Sequence, residues 1–494
     1  MKILLLTGKL ASKRVKEIAE KFNCDVYVAP VDVALFAKPE MLKIKESYDF
    51  MLIPGEMKNS EDFEKKTGIK TYLGTKNLEE LELLLKNIDK IKDKLSKSMP
   101  ACELLKHEIK KKAMAEIEKT KSEEYIREKL RYEWNILVGE LPIGRDFPIR
   151  VLAEIVGAEK LSNEEILKKA RYFKSSGADI IDLGFGKENT ERVREAIELL
   201  RKHDISPISI DTNEIENIRA AIEAKIDLIL SFDREMLEEF RNIEIPSVIV
   251  PSMKNVPKNP GERLALLEEN INYAKKRGFS KIVADPILNP LNHGLVESII
   301  AYKKFSEKYT LPLLMGVGNV TELLDADSIG VNALLCGIAS ECNVGIVFTP
   351  EHSDKAKGSV RELSLASKMM FLSKKRNSPP KDLGIDLLLL KEKRIKREKF
   401  DAKIKNIIKA KRKHDYTPDT KGYFKIFVED EKIVCVHFKN NKPTIIIEGT
   451  NAKEICDTII TLDLISSTEH AMYLGRELQR AEFAMRYGKS YIQD

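Results

Sequence analysis

A series of apolar runs in the middle of the chain each stop at residues able to do chemistry. They end near Glu154, at Asp182 and Gly184, at Asp211 and Thr212, and at Ser231. Further on they end at Ser252 before Lys254, at Asp285 and Pro286, at Gly318 and Asn319, and at Glu351 and His352. A carboxylate in such a place can accept paired N–H donors, and an amide can donate and accept in one plane. Asp211 and Asp285 directly end their runs, so ligand contact is expected of both. Asp233 and Thr321 come slightly later, where helix caps are favoured, and capping is expected there. In "LPLLMGVGNV" the residues Gly316 and Gly318 let backbone approach a flat ligand closely, and Asn319 adds a polar edge. The alternative for that stretch is a simple turn with Asn319 capping the next helix. No residue is singled out as a catalytic acid, base or nucleophile, and no spacing predicts a metal site.

The elements that must position these residues follow a regular pattern. From about residue 148, "IRVLAEIV", "ADIIDLG", "PISIDT", "KIDLILS", "PSVIVPS", "KIVADP", "LPLLMGV" and "VGIVFTP" alternate with stretches of helical spacing. Continuous apolar strands suit a parallel sheet covered on both faces. Eight such units predict an α/β fold with a central (β/α)8 TIM barrel over 146–378. Residues 1–75, with "KILLLTGK", "CDVYVAP", "YDFMLIPG" and "IKTYLG", predict a small open α/β domain. There "LLTGKLASKR" could cradle a phosphate at a helix N-terminus, but it lacks a full phosphate-loop pattern, and a tight turn is the default. Residues 76–145 carry Lys/Glu-rich helical periodicity and predict a helical connector, with Trp134 as a docking anchor. A basic linker is expected at 379–418 and a C-terminal α+β domain at 419–494, opening with a hairpin around Glu429–Asp430–Glu431.

Composition excludes several classes. The chain has 494 residues, 43% hydrophobic and 33% charged, which suits a water-soluble globular protein. A net charge of +6 on 84 basic and 78 acidic residues argues for no polyanionic partner. The basic run at 391–413 has no interleaved aromatics, so a solvated face is expected in place of a nucleic-acid patch. Six Cys without a CxxC pair fit a reduced, cytoplasmic setting, with Cys336 and Cys342 as buried thiols. "MKILLLTG" reads as a first strand, and no run reaches the length of a membrane span. Abundant Lys, Glu and Ile with only two Gln give a thermophile-like bias.

Four of these phrases, in order, resemble the dihydropteroate synthase family of pterin-binding barrels: "GADIIDLGFG", "PISIDT", "IVADPILNP" and "LPLLMGVGN". The likeness covers roughly residues 148 to 375 and suggests an archaeal-type multidomain relative. It implies a pterin as substrate or ligand, held by Asp211, Ser231, Asp285 and Asn319. A pterin presents a 2-amino group beside a ring N–H, and Asp285 would accept both. The family's basic phrase after the seventh strand is replaced here by Gly318 and Asn319, its Arg on the eighth strand is missing beside His352, and its first-loop Asn has no counterpart. Magnesium is therefore weakly implied, and Asp182, Lys254, His293 and His352 are the residues left to contact an anion or second substrate. Lys187 is a further loop cation of this kind. The resemblance implies a transferase that joins a dihydropterin methyl pyrophosphate to an aryl amine in folate- or methanopterin-type biosynthesis. "GVGN" also resembles the pterin-dependent methyltransferases, and a non-catalytic pterin carrier is the third reading. The expected partner is a small-molecule pterin, with room for a homodimer, and neither nucleic acid nor membrane is expected.

Overall fold

A computed structural model of the chain describes residues 1–392, 408–411, 417–429 and 431–494. Half of the predicted basic linker, and Asp430 of the predicted hairpin, lie outside the described residues. The chain divides into two compact units, Met1–Lys391 and Glu392–Asp494.

The first unit opens with four parallel strands: β1 (Ile3–Thr7), β2 (Asp25–Val28), β3 (Phe50–Ile53) and β4 (Thr71–Leu73), in the order β2-β1-β3-β4. One face packs on the helix Ser12–Lys21, whose Val15, Ile18 and Ala19 are buried. The segment predicted as a connector is partly the wall of this domain. Leu81, Leu84, Leu85 and Ile88 form a stripe at helical spacing and share one core with Ile3, Leu5 and Leu52. Its last ten residues are not helical. β5 (Asn135–Val138) and β6 (Leu141–Gly144) form an antiparallel hairpin around Gly139, which has φ 57°. Short apolar runs on either side of a left-handed glycine turn give a hairpin. Val138 and Ile143 plug the interior of the next domain from below. Trp134 does anchor this junction: its Nε1 donates to Asp146 at 2.7 Å and its ring stacks on Tyr132.

The eight predicted central strands are all present: β7 (Arg150–Ile155), β8 (Ile180–Phe185), β9 (Ile208–Thr212), β10 (Leu228–Phe232), β11 (Ser247–Ile249), β12 (Ile282–Ala284), β13 (Leu314–Gly316) and β14 (Ile346–Thr349). They are parallel, in the order β12-β11-β10-β9-β8-β7-β14-β13, and a bridge between Ala284 and Leu313 closes the ring. Leu152, Ile180, Leu228, Val248, Val283, Leu314 and Ile346 fill the interior. Their neighbours Val151, Ile181, Ile229, Ile249, Ala284, Met315 and Val347 pack outward in the helix-covered core. Side chains alternate along a strand, so parity decides which strand-end residues point inward. Glu154, Asp182, Asp285 and Gly316 share parity with interior residues and face the mouth of the barrel. Cys336 and Cys342 are buried thiols as expected, pushed by burial up to about 12 and about 11.

The second unit has the expected α+β form. β15 (Tyr423–Glu429), β16 (Lys432–Lys439) and β17 (Lys442–Gly449) make an antiparallel meander. The helices Ala452–Thr461 and Thr468–Arg486 cover it through Ile455, Leu474 and Leu478.

Candidate functional site

Two groups of side chains gather at the carboxyl ends of the barrel strands. In the first, register brings neighbours together. Glu154 on β7 lies opposite Asp182 on β8, Asp182 opposite Ser209 on β9, and Gly184 opposite Asp211. One carboxylate oxygen from each of Glu154, Asp182 and Asp211 lies within 4.8 Å of the others. Gly184 is needed for this, because a Cβ there would collide with Glu154 Oε1. Asp182 is fully buried; its Oδ1 accepts from Ser209 Oγ at 2.5 Å, and its Oδ2 is buried with no hydrogen-bond partner. Burial, reinforced by the neighbouring acids, holds Asp182 well above the carboxylate range. Burial and then the Asp211 charge push Glu154 to about 8, and burial pushes Asp211 to about 6. Like charges at this spacing in a low-dielectric site cannot all ionise, so the acids hold protons among them.

The second group surrounds Asp285, which follows β12 and is 8% exposed. Its Oδ1 accepts from the Tyr302 hydroxyl and from the Ile287 amide at 2.7 Å. Its Oδ2 takes no hydrogen bond among the described residues. Burial raises its pKa to about 6, against the pull of Tyr302, the Ile287 amide and the Arg263 charge. Arg263 is fully buried and donates to the carbonyls of Ile287 at 2.8 Å and Pro257 at 2.8 Å, tying the loop after β12 to the loop after β11. Asn319 reaches the same loop: its Nδ2 donates to Leu288 O at 2.9 Å, and it sits beside Gly316. Its Oδ1 accepts no bond among the described residues. Ser231, one residue before the end of β10, is half-buried and follows Leu230, which is in register with Asp211.

Other predicted residues are engaged elsewhere. Lys254 is exposed and paired with Glu235 at 2.5 Å. His293 is exposed, its Nδ1 3.0 Å from Leu291 O, and His352 is exposed, its amide donating to Glu322. Lys187 is exposed on the loop after β8. Glu351 turns away from the mouth: it accepts from the amides of Gly358 and Val360, both at 2.8 Å, and from Tyr172 at 2.6 Å. It caps the helix Ser359–Arg376, whose own N-cap is a glycine without a side chain. Asp233 caps as expected, accepting from Met236 and Met253. Thr321 does not: it ends the short helix Gly318–Thr321, and its hydroxyl donates back to Val317 O. Asn319 lies inside that same helix, so it is not a cap either.

Glu154, Arg263 and Tyr302 complete the two groups but were not among the predicted ligand contacts. Glu154 was visible as a strand end. Tyr302 lies in an amphipathic helix, and a buried Tyr hydroxyl requires a partner, which was the one available signal.

Residues 155–330, which hold most of this closed barrel and the acids at its mouth, match the family of pterin-binding enzymes. Residues 418–494 match a second family, PterinBD-DUF4346. The chain belongs to the family of the uncharacterized protein MJ0107 of Methanocaldococcus jannaschii, with 41% identity over 100% of this chain and 98% of that one. It is also similar to the uncharacterized protein ycf91 of Porphyra purpurea, 33% identical over 15% of this chain and 70% of that one. Among solved structures it is similar to dihydropteroate synthase from Xanthomonas albilineans in complex with 7,8-dihydropteroate, at 19% identity and a TM-score of 0.39, over 47% of this chain and 96% of that one. No helix among the described residues is long and apolar enough to cross a membrane.

Proposed function

We propose that the barrel is a transferase that joins a dihydropterin methyl pyrophosphate to an aryl amine, in making a folate- or methanopterin-type cofactor. The observation that carries the reading is Asp285. A carboxylate has about four acceptor positions. Two on Oδ1 are taken by Tyr302 and Ile287, and Oδ2 stays open toward the mouth. That is a fixed, buried acceptor for the paired N–H donors of a pterin. Ser231 and the Asn319 carbonyl would contact the ring from either side, and Asp211 would orient it from the end of β9. In the reaction the C–O bond to pyrophosphate breaks, the amine nitrogen bonds the methylene carbon, and the amine loses a proton. Asp211, raised only to about 6 and so ionised at neutral pH, would accept that proton.

Pyrophosphate departure needs positive charge, and Lys254 is held by Glu235. Glu154, Asp211 and the unpartnered Asp182 Oδ2 are hard oxygen donors that fit a divalent cation such as magnesium, which would supply that charge when bound. A second reading is methyl transfer from a methylated tetrahydropterin. It is favoured by Glu154, which is pushed to about 8 and so keeps a proton at neutral pH for a departing ring nitrogen. Turnover assays with each substrate, with and without magnesium, separate the two. Condensation with an aryl amine that requires the pyrophosphate supports the synthase. Demethylation of the pterin in the presence of a corrinoid or thiol acceptor would replace it. Binding without turnover in either assay would leave a carrier.

A further inference from the structure

The stretch "LLTGKLASKR", which runs from the end of β1 into the helix Ser12–Lys21, has no part in the barrel chemistry. In the fold it borders a cavity of about 280 Å³. The strand order β2-β1-β3-β4 sends the chain away from β1 and β3 in opposite directions. This is a topological switch point, and open parallel sheets take ligands in the crevice outside the carboxyl ends of those two strands. The cavity lies there: its wall includes Thr7 and Gly8 from the end of β1, Pro54 after β3, and Thr75 and Lys76 after β4.

The wall selects its ligand. Lys76 has a side chain only 7% exposed, and its nearest carboxylate oxygens, on Asp382 and Glu103, are 3.7 Å and 3.9 Å away. Both are ion-pair distances longer than a hydrogen bond, and the ammonium donates no hydrogen bond among the described residues. Its charge is shared with those two carboxylates, but its three N–H donors are not taken up by either and stay open to an added acceptor. The helix Ser12–Lys21 starts at the same cavity with no side-chain cap and no acidic residue in its first turn, which carries Lys13 and Arg14. Its dipole and charges also favour an anion. Leu10 and Leu35 also line the cavity, while 77% and 42% exposed. A flat ring laid on them would remove apolar surface from water. The Asp32 carboxylate, also in the wall, has no partner among the described residues and can accept from sugar hydroxyls.

From this arrangement we infer that the N-terminal α/β domain binds a nucleotide-class ligand, a phosphate ester of a sugar carrying a flat ring. The site is separate from the barrel mouth and does not depend on the barrel's chemistry. Equilibrium dialysis of the full chain against AMP, GMP, FMN and inorganic phosphate tests it. At least one of the three nucleotides should bind, at least about tenfold more tightly than inorganic phosphate. Lys76→Met should weaken it by about tenfold, the loss of one charge-assisted contact, and Lys13→Glu, which reverses an exposed charge at the start of the helix, by at least about threefold. Asp285→Ala should leave it unchanged. The proposal is overturned if none of the nucleotides binds at millimolar concentration, if phosphate binds as tightly, or if neither Lys76→Met nor Lys13→Glu changes the affinity. Lys13 is on the surface, so its variant reports binding even if the Lys76 variant does not fold.

Discussion

Asp285→Asn is the change that most directly probes pterin binding. The substitution keeps the shape of the side chain and removes one acceptor and the charge. In the native site Oδ1 accepts from Tyr302 and Ile287, and Oδ2 is left for the ligand. An Asn can keep its oxygen on the Ile287 amide only by turning its NH2 toward the ring, donor against donor. Turned the other way, it meets the pterin but opposes the Ile287 amide. One charge-assisted bond, of roughly 1.5–3 kcal/mol, is therefore lost in either pose, and one donor is left facing a donor. The expected loss is about 2.7 kcal/mol, or about a hundredfold in Kd. Calorimetric titration with a dihydropterin at pH 7 measures it. The wild-type titration adds a second readout. Asp285 binds as the anion, and its pKa is near 6, so affinity should be level above that pH and fall as the pH drops through it. The variant has no carboxyl to titrate and should lose that dependence. An Asn variant that binds within about threefold of wild type, with the same pH profile, would refute Asp285 as the anchor.

Other expectations rest on the same contacts. Tyr302→Phe removes a bond that lowers the Asp285 pKa, so the midpoint of the pterin-binding pH profile should move upward, read by the same titration. Asp182→Asn should stabilise the barrel at pH 8. The folded-state pKa values of Glu154, Asp182 and Asp211 are raised, so the native state holds more protons than the unfolded chain between about pH 4 and 8 and stability falls as pH rises through that window. Relief of only about 1 kcal/mol would raise Tm by about 2–4 °C at pH 8, with little change at pH 4, by thermal melts. Glu351→Ala removes a helix cap and should cost about 1–2 kcal/mol in urea unfolding while leaving pterin affinity intact. Asn319→Lys places a cation at an exposed position beside the mouth, and should preserve or raise condensation turnover in a synthase but abolish methyl transfer, where a fixed cation opposes ring-nitrogen protonation.

The sequence by itself determined the barrel and the places where its chemistry could sit. Continuous apolar runs between amphipathic helices allow few other folds, and a period of two along each strand carries Asp182 and Asp285 to the same side as the interior residues Ile180 and Val283. Even the hairpin at 135–144 had its signal in the short apolar runs "ILV" and "LPI" around Gly139, although the Lys/Glu-rich helices before it hid the change. Which polar strand ends belong to the site was a different matter. Glu351 and Lys254 follow apolar runs in the sequence, as Asp285 does. Only the folded chain decided that one caps a helix and the other pairs with Glu235, because those partners are brought near by packing and loop geometry. The same holds for Tyr302 beneath Asp285 and for the three acids. Glu154, Asp182 and Asp211 lie far apart in the chain, and their closeness is set by the register between β7, β8 and β9, which no spacing within a single strand encodes.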